Sequence, residues 1–359
     1  MVKISLCMIV KNEEQVLGRC LESVQGLVDE IIIVDTGSED RTVEIARQYT
    51  PYVYEIPWRD DFAQARNFSF SKATGDYCMW LDADDVISEE NRRKFIKEKE
   101  NMDGTEDMVM MRYVTGFHSD GTEMFSFFRE RILKRERKFQ WKGRVHEAIV
   151  PEGKVVYWET AVFHRKEKQK EFGRNLRIYE KMKEEGEPFG PRDLFYYGRE
   201  LMYNGKYQEA EAVLEEFLGR KDGWVENKIE ACMNLAECLR KEGMADQIIR
   251  ALLRTLEYDV PRAQVCCAIG GAFMDRKEWE QAAFWYEEAL RAKRKDKDGG
   301  FVPEECYGYL PEIQLCVCYD RMGDEEKAYQ HHLEAKKLRP KSEAVLYNDG
   351  YFAGRGRRT

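Results

Sequence analysis

The hydrophobic pattern of this chain changes its period near residue 186, and that change limits the fold more than any other feature. Short β-rich apolar runs alternate with helical patterns up to about residue 165, whereas one helical pattern follows another beyond residue 186. The 359 residues are long enough for about two or three domains. We therefore predict an α/β domain over residues 1–165, a connecting helix over 166–186, an all-α repeat domain over 187–345 and a disordered tail over 346–359.

The first half reads as repeated β-α units. Strands are predicted at "KISLCMIV", "EIIIVD", "YVYEI" and "YCMWLDA", and helices at "SEDRTVEIARQY" and "DFAQARNFSFSKA", with Asn12 expected to cap the helix that follows the first strand. Such alternation implies a Rossmann-like, mostly parallel, doubly wound sheet. Ligands of these sheets gather at the carboxyl ends of the strands. The polar segments "KNEE", "DTGS" and "DADD" stand at three of those ends, which predicts a binding site there.

The second half contains four similar helical units. They align on a turn position occupied by Gly205, Gly243, Lys277 and Gly323, with spacings of 38, 34 and 46 residues. These spacings bracket the period of about 34 residues of tetratricopeptide repeats, which the pattern resembles. Ala210, Ala282 and Ala328 stand where the second helix of a repeat approaches its neighbour closely, and Ile248 departs from the pattern. We predict a tetratricopeptide-repeat solenoid.

Charge and cysteine content exclude several classes of protein. The 58 basic and 67 acidic side chains give a net charge of -9, which argues against a general nucleic-acid binder or a protein of anionic membrane surfaces. Only about seven apolar residues precede the first charged cluster, too few for a signal sequence or a membrane span. The ten cysteines form no C-x-x-C pair. We expect reduced thiols, a cytoplasmic location and no transmembrane segment.

The segment "YCMWLDADDVIS" runs an apolar strand into Asp82, Asp84 and Asp85. Three carboxylates on one turn disfavour one another's ionisation unless a cation is close. Mg²⁺ and Mn²⁺ prefer oxygen ligands and complete their shells with phosphates and water. The segment therefore predicts a site for a metal-bound nucleoside diphosphate. In the alternative interpretation, Asp84 and Asp85 form an exposed turn that caps the helix at "SEENRRKFI".

Residues 3–165 resemble the family-2 glycosyltransferases of GT-A fold, because "ISLCMIVKNEE", "IIIVDTGSEDRT" and "ARNFSFSKATGDYCMWLDADD" occur in that family's order. The resemblance implies that Asp35 recognises the base, that Asp82 approaches the ribose and that Asp84 binds the metal. It implies a nucleotide site made of Val10, Lys11, Glu13, Asp35, Arg66, Asp82 and Ala83. Alternatively, Asp35 only starts a turn with Gly37 and Arg66 is a surface helix residue.

Two later segments supply the remaining candidates, "FQWKGRVHEAIVPEG" with His146 and Glu147 and "ETAVFHRK" with His164. Sugar transfer needs a base for the acceptor proton and a cation for the departing diphosphate. By resemblance, Glu147 is the base and His164 completes the metal site.

Each of these assignments has an alternative. Glu147 instead forms a salt bridge to Arg144 or Lys142, with His146 as the base, and His164 is then a packed histidine. The basic run "FFRERILKRERKFQWKGR" offers Arg129 or Arg131 to a diphosphate or acceptor, but nothing in the sequence selects one. The role of Asp85 is left open between the metal and the base.

The predicted function is a metal-dependent inverting glycosyltransferase. It would move a hexose or N-acetylhexosamine from a UDP-sugar, with Mn²⁺ or Mg²⁺ as cofactor, to a Ser, Thr or Cys of a polypeptide that the repeats help to bind. The alternatives are a transferase that elongates a surface or lipid-linked glycan, a non-catalytic scaffold and self-association through the repeats. A nucleotidyltransferase is disfavoured because "VKNEE" lacks the glycine-rich first loop of that class.

Overall fold

The computed structural model describes residues 2–117, 123–165, 172–295 and 302–356. The chain divides into two compact units. The first comprises Met1–Gly116 and Ser126–Gly186, and the second comprises Phe117–Phe125 and Glu187–Thr359. The predicted combination of a mostly parallel sheet domain with a helical repeat domain is confirmed.

The sheet of the first unit has the strand order β3-β2-β1-β4-β7-β6-β8-β5. Strands β1, β2, β3 and β4 pair in parallel, as do β6 and β8, whereas β7 is antiparallel to β4 and β5 is antiparallel to β8. The strands are β1 Ile4–Val10, β2 Glu30–Asp35, β3 Val53–Glu55, β4 Tyr77–Trp80, β5 Asp85–Val86, β6 Met108–Phe117, β7 Glu123–Lys134 and β8 Val155–His164.

Five helices accompany this sheet: α1 Leu17–Val24, α2 Thr42–Tyr49, α3 Phe62–Ser71, α4 Glu89–Glu100 and α5 Arg174–Glu184. Apolar side chains of the central strand β1, such as Leu6 and Met8, are fully buried in one cluster with Leu17 and Phe95. The neighbouring Cys7 belongs to a separate cluster. Strand β1 is therefore covered on both faces, as expected for the centre of a doubly wound sheet.

Asn12 does not cap helix α1, contrary to the prediction. The helix begins at Leu17, and Val16 at its start provides no side-chain hydrogen bond. Asn12 has a left-handed backbone with φ of 55°, and its Oδ1 accepts a hydrogen bond from the Glu39 N–H at 2.7 Å. The side chain therefore joins two loops at the end of the sheet instead of a helix end.

In the part of the second unit that the structure describes, the main elements are four helix pairs, a short strand and a final helix. The pairs are α6 Pro191–Tyr203 with α7 Tyr207–Gly219, α8 Val225–Lys241 with α9 Ala245–Leu253, α10 Ala263–Asp275 with α11 Trp279–Arg291, and α12 Tyr309–Met322 with α13 Glu325–Leu338. Strand β9 is Val302–Pro303 and the final helix α14 is Glu343–Ala353.

The predicted repeat register is confirmed at the turns. The four aligned positions have left-handed φ values of 77°, 75°, 59° and 83° at Gly205, Gly243, Lys277 and Gly323. Glycine adopts this conformation without steric cost, which explains its presence at three of the four turns. The three repeat alanines, Ala210, Ala282 and Ala328, are fully buried.

Two predicted boundaries differ from the structure. Residues 346–353 of the predicted tail belong to helix α14, which is anchored by the fully buried Val345 and Phe352. Only residues 357–359 of that tail lie outside the described residues. The predicted connecting segment 166–186 contributes helix α5 to the first unit, and its residues 166–171 also lie outside the described part.

All ten cysteines are free and buried. No helix in the described ranges has both the length and the apolar content needed to cross a membrane.

A pair of glutamates makes the second unit sensitive to pH. Burial, followed by a hydrogen bond that the protonated carboxyl donates to Glu242, raises the pKa of Glu211 on α7 to about 7. In the unfolded chain this carboxyl titrates near 4.5, so the folded state retains the proton longer. Stability should therefore fall as pH rises from 4.5 to 7 and then level off.

We expect Glu211→Gln to remove that loss. The gain at pH 8 should be about 1 kcal/mol, or roughly 3 °C in melting temperature, because the carboxyl is partly exposed. It should vanish near pH 4. Melting curves across this pH range measure the effect, and Glu216→Gln, an exposed glutamate on the same helix, is the matched control. If Glu211→Gln raised the melting temperature equally at pH 4 and pH 8, the gain would not come from the proton that Glu211 shares with Glu242.

Candidate active site

The three polar segments singled out in the sequence lie at one edge of the sheet. Val10 at the end of β1 pairs with Asp35 at the end of β2, and Cys7 of β1 pairs with Trp80 at the end of β4. Because these strands are parallel, the residues that follow each strand leave the sheet on the same side. The loops after β1, β2 and β4 therefore meet there.

The first two of these loops are tied together by hydrogen bonds from the β1 loop. The backbone N–H groups of Asn12 and Glu13 donate to Ser38 Oγ at 2.8 Å and Thr42 Oγ1 at 2.6 Å. The Glu14 N–H donates to Asp40 Oδ2 at 3.2 Å. This arrangement fixes the rim of the site before any ligand arrives.

Both carboxylate oxygens of Asp35 accept hydrogen bonds within the turn that follows β2. Its Oδ1 accepts hydrogen bonds from the N–H groups of Gly37 and Ser38, both at 2.9 Å, and the Ser38 hydroxyl donates to Oδ2. The residue is only 2% exposed. Asp35 thus forms a turn with Gly37 and Ser38, and recognition of a base by Asp35 stays a prediction.

Arg66 bridges two of the predicted carboxylates. Its Nη2 lies 2.7 Å from Asp82 Oδ1 and its Nε lies 2.6 Å from Glu147 Oε1. The guanidinium carbon is 4.8 Å and 5.0 Å from the ring centroids of Trp80 and Trp141, and the residue is 6% exposed. Arg66 is thus a buried charge that lies against two indole rings, and the alternative of a surface helix residue is wrong.

The contacts of Arg66 keep Asp82 ionised and supply the salt-bridge partner of Glu147. Burial alone would raise the pKa of Asp82, but the positive charge of Arg66 holds that pKa well below its usual range. Glu147 pairs with Arg66, whereas Arg144 pairs with Glu185 at 2.7 Å. The alternative salt bridge from Glu147 to Arg144 is therefore wrong.

His146 and Glu147 are adjacent in sequence but have different neighbours. The His146 ring lies nearly parallel to Tyr179 of α5, with centroids 6.4 Å apart, and its Nε2 is 3.5 Å from Asn175 Nδ2. His146 also has a left-handed φ of 52°. Of the two, Glu147 shares the charged partner Arg66 with Asp82, and the identity of the base stays a prediction.

The two residues predicted to bind a metal, Asp84 and His164, lie close together in the structure, and Asp85 lies beside them. One ligand atom from each of Asp84, Asp85 and His164 lies within 4.8 Å of the others. His164 Nδ1 is 3.2 Å from Asp84 Oδ1 and 3.3 Å from Asp85 Oδ1. Residues about eighty positions apart meet because β5 pairs with β8 and sets Asp85 directly opposite His164.

The chemistry of this donor set fits a divalent ion. Burial lowers the pKa of His164, but its hydrogen bonds to Asp84 and Asp85 outweigh that effect and raise the pKa to about 9. A cation is thus already stabilised at this position. Carboxylate oxygen with one imidazole nitrogen suits Mn²⁺, and Asp84 and His164 retain 24% and 17% side-chain exposure for approach from solvent.

Asp85 has a different environment from Asp84. It is fully buried, and its Oδ2 lies 3.1 Å from Nη1 of the equally buried Arg131. Its Oδ1 accepts a hydrogen bond from the Tyr113 hydroxyl at 2.8 Å. Helix α4 is capped by Ser88 instead, so the helix-capping interpretation of Asp84 and Asp85 is wrong.

Sequence reasoning missed Tyr113, Trp80 and Trp141, and it could not choose between Arg129 and Arg131. Arg131 lies in β7, whose neighbouring Ile132 pairs with Met79 of β4. The sequence signal for Arg131 was its position in a predicted strand beside apolar residues. That position indicates burial but does not identify the carboxylate with which Arg131 pairs.

The remaining predicted nucleotide ligands lie along the same edge. Val10 and Ala83 are buried, Lys11 is exposed and Glu13 is half-buried. Nucleotide binding by these residues stays a prediction.

Comparison with known proteins agrees with this architecture. Residues 5–152, which lie in the first unit, match the family model "Glycosyl transferase family 2". The chain is 32% identical to glycosyltransferase SunS of Bacillus subtilis over 222 residues, 56% of this chain and 50% of SunS. It is 29% identical to the lipopolysaccharide core biosynthesis glycosyltransferase LpsC of Rhizobium meliloti over 42% of this chain and 58% of LpsC.

A further relative is a TPR repeat-containing protein of Synechococcus elongatus, 48% identical over 24% of this chain and 22% of that protein. The chain spans between 22% and 58% of the length of these relatives. Among solved structures, MamA from Desulfovibrio magneticus has 18% identity and a TM-score of 0.37, covering 47% of this chain and 86% of MamA.

Proposed function

We propose that this chain is a metal-dependent inverting glycosyltransferase that moves a hexose or N-acetylhexosamine from a UDP-sugar to a Ser, Thr or Cys of a polypeptide. The observation that carries the proposal is the bridge from Arg66 to both Asp82 and Glu147. It joins a carboxylate on the metal-binding segment to a carboxylate suited to act as a base. Donor binding and acceptor activation would thus occur in one site.

The donor half of the site consists of Asp82, Asp84 and His164. Asp84 and His164 would hold Mn²⁺ or Mg²⁺, which when bound neutralises the charge that develops on the departing diphosphate. The Asp82 side chain is 36% exposed and ionised beside Arg66, so it can accept hydrogen bonds from ribose hydroxyls.

The acceptor half depends on Glu147. Its Oε1 is held by Arg66, whereas its Oε2 has no hydrogen-bond partner among the described residues. We propose that Oε2 accepts the proton that the acceptor hydroxyl or thiol loses. The acceptor atom then forms its bond to the anomeric carbon as the bond to the diphosphate oxygen breaks, which inverts that carbon. Arg66, which the resemblance places in the nucleotide site, would also orient Glu147 through its Nε.

The helical repeats support the choice of a polypeptide acceptor. Repeat solenoids present extended surfaces, which suit peptide segments. The ten buried free thiols support a reducing, cytoplasmic location as part of the same proposal.

Nucleotide-dependent thermal stabilisation followed by intact-mass analysis tests this function. We expect UDP with Mn²⁺ to raise the melting temperature by several degrees, and GDP or UDP with EDTA to raise it much less. Incubation with UDP-glucose or UDP-N-acetylglucosamine should then add one hexose or N-acetylhexosamine mass to peptides that contain Ser, Thr or Cys. If only glycans gained the sugar, the acceptor would be a glycan and not a polypeptide. If no nucleotide raised the melting temperature, the non-catalytic scaffold would be favoured.

A further inference from the structure

Arg174, the first residue of α5, has no acidic partner among the residues that the structure describes. Its Nε is buried and makes no hydrogen bond, and no hydrogen bond or ion pair to a described residue holds its terminal nitrogens. Two other basic side chains of this region are paired, since Lys181 lies 2.7 Å from Asp60 and Arg144 lies 2.7 Å from Glu185. Arg174 is thus a half-buried cation whose charge no described carboxylate balances.

An unpaired cation in this position is unfavourable for the free protein. A half-buried charge loses part of its hydration, and an ion pair normally compensates for that loss. Arg174 also stands at the start of a helix, where the helix dipole disfavours positive charge, and the first turn of α5 contains no acidic residue. A side chain that costs stability in this way is expected where it contacts a ligand.

Two aromatic side chains support the guanidinium group of Arg174. The guanidinium carbon lies over the Phe62 ring, 4.9 Å from its centroid. Phe62 meets Trp58 in an edge-on contact, with ring centroids 4.7 Å apart and an interplanar angle of 66°. Trp58 is held in turn by Asp60, whose Oδ1 accepts a hydrogen bond from the indole Nε1 at 3.0 Å. A planar guanidinium held by a ring can bind one carboxylate through two parallel hydrogen bonds.

The contacts of Phe62 place this cation beside the proposed base. Phe62 and Arg66 are one turn apart on the same face of α3, and Arg66 Nε lies 2.6 Å from Glu147 Oε1. The Phe62 N–H also donates to the carbonyl oxygen of Arg144 at 2.7 Å, three residues before Glu147. Helix α3 therefore carries the support of Arg174 and the partner of Glu147 side by side.

Helix α5 contacts the same segment. Asn175 follows Arg174, and its Nδ2 lies 3.5 Å from Nε2 of His146, the residue before Glu147. In the described part of the chain no contact joins Arg174 to the proposed metal ligands. Arg174 is therefore connected to the acceptor half of the site and not to the donor half.

We infer that Arg174, supported by Phe62 and Trp58, binds a carboxylate of the acceptor polypeptide beside the Ser, Thr or Cys that receives the sugar. The inference rests on the proposed transfer to a polypeptide, and it adds which kind of polypeptide is used: one with Asp or Glu close in sequence to the modified residue. Charge complementarity selects this ligand, because a carboxylate supplies the partner that Arg174 lacks.

Competition between two peptide pools tests this inference with the full chain, Mn²⁺ and UDP-glucose or UDP-N-acetylglucosamine. Both pools carry a central Ser, Thr or Cys in randomised flanks. The flanks of one pool include Asp and Glu, and in the other pool Asn and Gln replace them. Intact mass after short incubation gives the initial rate of transfer to each pool. We expect the wild-type chain to prefer the acidic pool by about 10-fold or more, because hydrogen bonds to charged groups are the stronger ones.

Two variants of Arg174 remove and reverse the charge. Arg174→Gln should reduce the preference to less than about 2-fold, and Arg174→Glu should shift it to a third pool whose flanks contain Lys. Arg174→Gln should keep the wild-type melting temperature, because it removes a charge that has no described partner. Arg177→Gln, an exposed arginine three residues further along α5, is the matched control and should retain the preference.

Donor affinity separates this inference from a role of Arg174 at the diphosphate. Titration with UDP and Mn²⁺ should give the same affinity in Arg174→Gln as in the wild-type chain, and a loss of more than about 5-fold would assign Arg174 to the donor and overturn the inference. Equal transfer to the first two pools by the wild-type chain would also overturn it, while the proposed function would stand. Transfer to no pool would contradict the polypeptide acceptor itself, and this inference with it.

Discussion

Asp84→Asn is expected to abolish metal-dependent release of UDP from a UDP-sugar, with a loss of about 1,000-fold in turnover. Asp84 is the carboxylate of the cluster that has solvent access and lacks an arginine partner among the described residues. The amide keeps the shape of the side chain but removes the charge that a hard divalent ion requires. UDP release with saturating Mn²⁺, compared with the rate in EDTA, measures the effect.

The control for this change is Asp103→Asn, an exposed aspartate of the first unit whose Oδ1 accepts a hydrogen bond from the Thr105 N–H. It carries the same chemical change away from the candidate site and should leave UDP release unaltered. Circular dichroism should show the wild-type fold in both variants. Full Mn²⁺-dependent activity in Asp84→Asn would remove Asp84 from the metal site and refute the proposed donor chemistry.

Glu147→Gln is expected to lower sugar transfer by about 100- to 10,000-fold while donor affinity stays within a few-fold of wild type. Glutamine retains an oxygen for Arg66 Nε, so the local geometry is preserved, but it cannot take a proton from the acceptor. Transfer to a peptide, followed by intact mass, gives the rate, and titration with UDP and Mn²⁺ gives donor affinity. A parallel loss of donor affinity would assign Glu147 to binding instead.

His146→Gln is the companion experiment, because the sequence could not rank the two residues of "HE". The structure places His146 beside Asn175 and Tyr179 of α5, so we expect its replacement to reduce transfer by less than about 5-fold. If His146→Gln abolished transfer and Glu147→Gln did not, the base would be His146. Glu147 would then be a structural partner of Arg66.

Much of the fold was predictable because its signals are local. The four strands predicted in the first half appear as β1 to β4, and the left-handed turns appear at each aligned repeat position. Periodicity and turn residues act over a few positions, so they can be recognised without knowledge of distant contacts. The helix cap assigned to Asn12 failed because that side chain instead bonds the loop that follows β2.

The sequence by itself determined that an acidic segment follows an apolar strand at the ligand-binding edge of a parallel sheet, and that a repeat solenoid follows this domain. Only the tertiary structure decided which cation neutralises which carboxylate. With 58 basic and 67 acidic side chains, the sequence allows many pairings. Arg66 meets Glu147 across 81 positions because the backbone brings α3 and the segment around Trp141 together, with Asn67 bonded to the Trp141 backbone.

The same physical reason separates Asp84 from Asp85. Asp84 lies in the turn that precedes β5 and keeps 24% side-chain exposure, whereas Asp85 begins β5 and its side chain is fully buried. Strand pairing then determines what each side chain meets: Arg131 from β7 and Tyr113 from β6 enclose Asp85, and His164 from β8 reaches both aspartates. Sheet register and burial, which no local pattern encodes, thus leave one carboxylate of the acidic cluster accessible to solvent and bury the other.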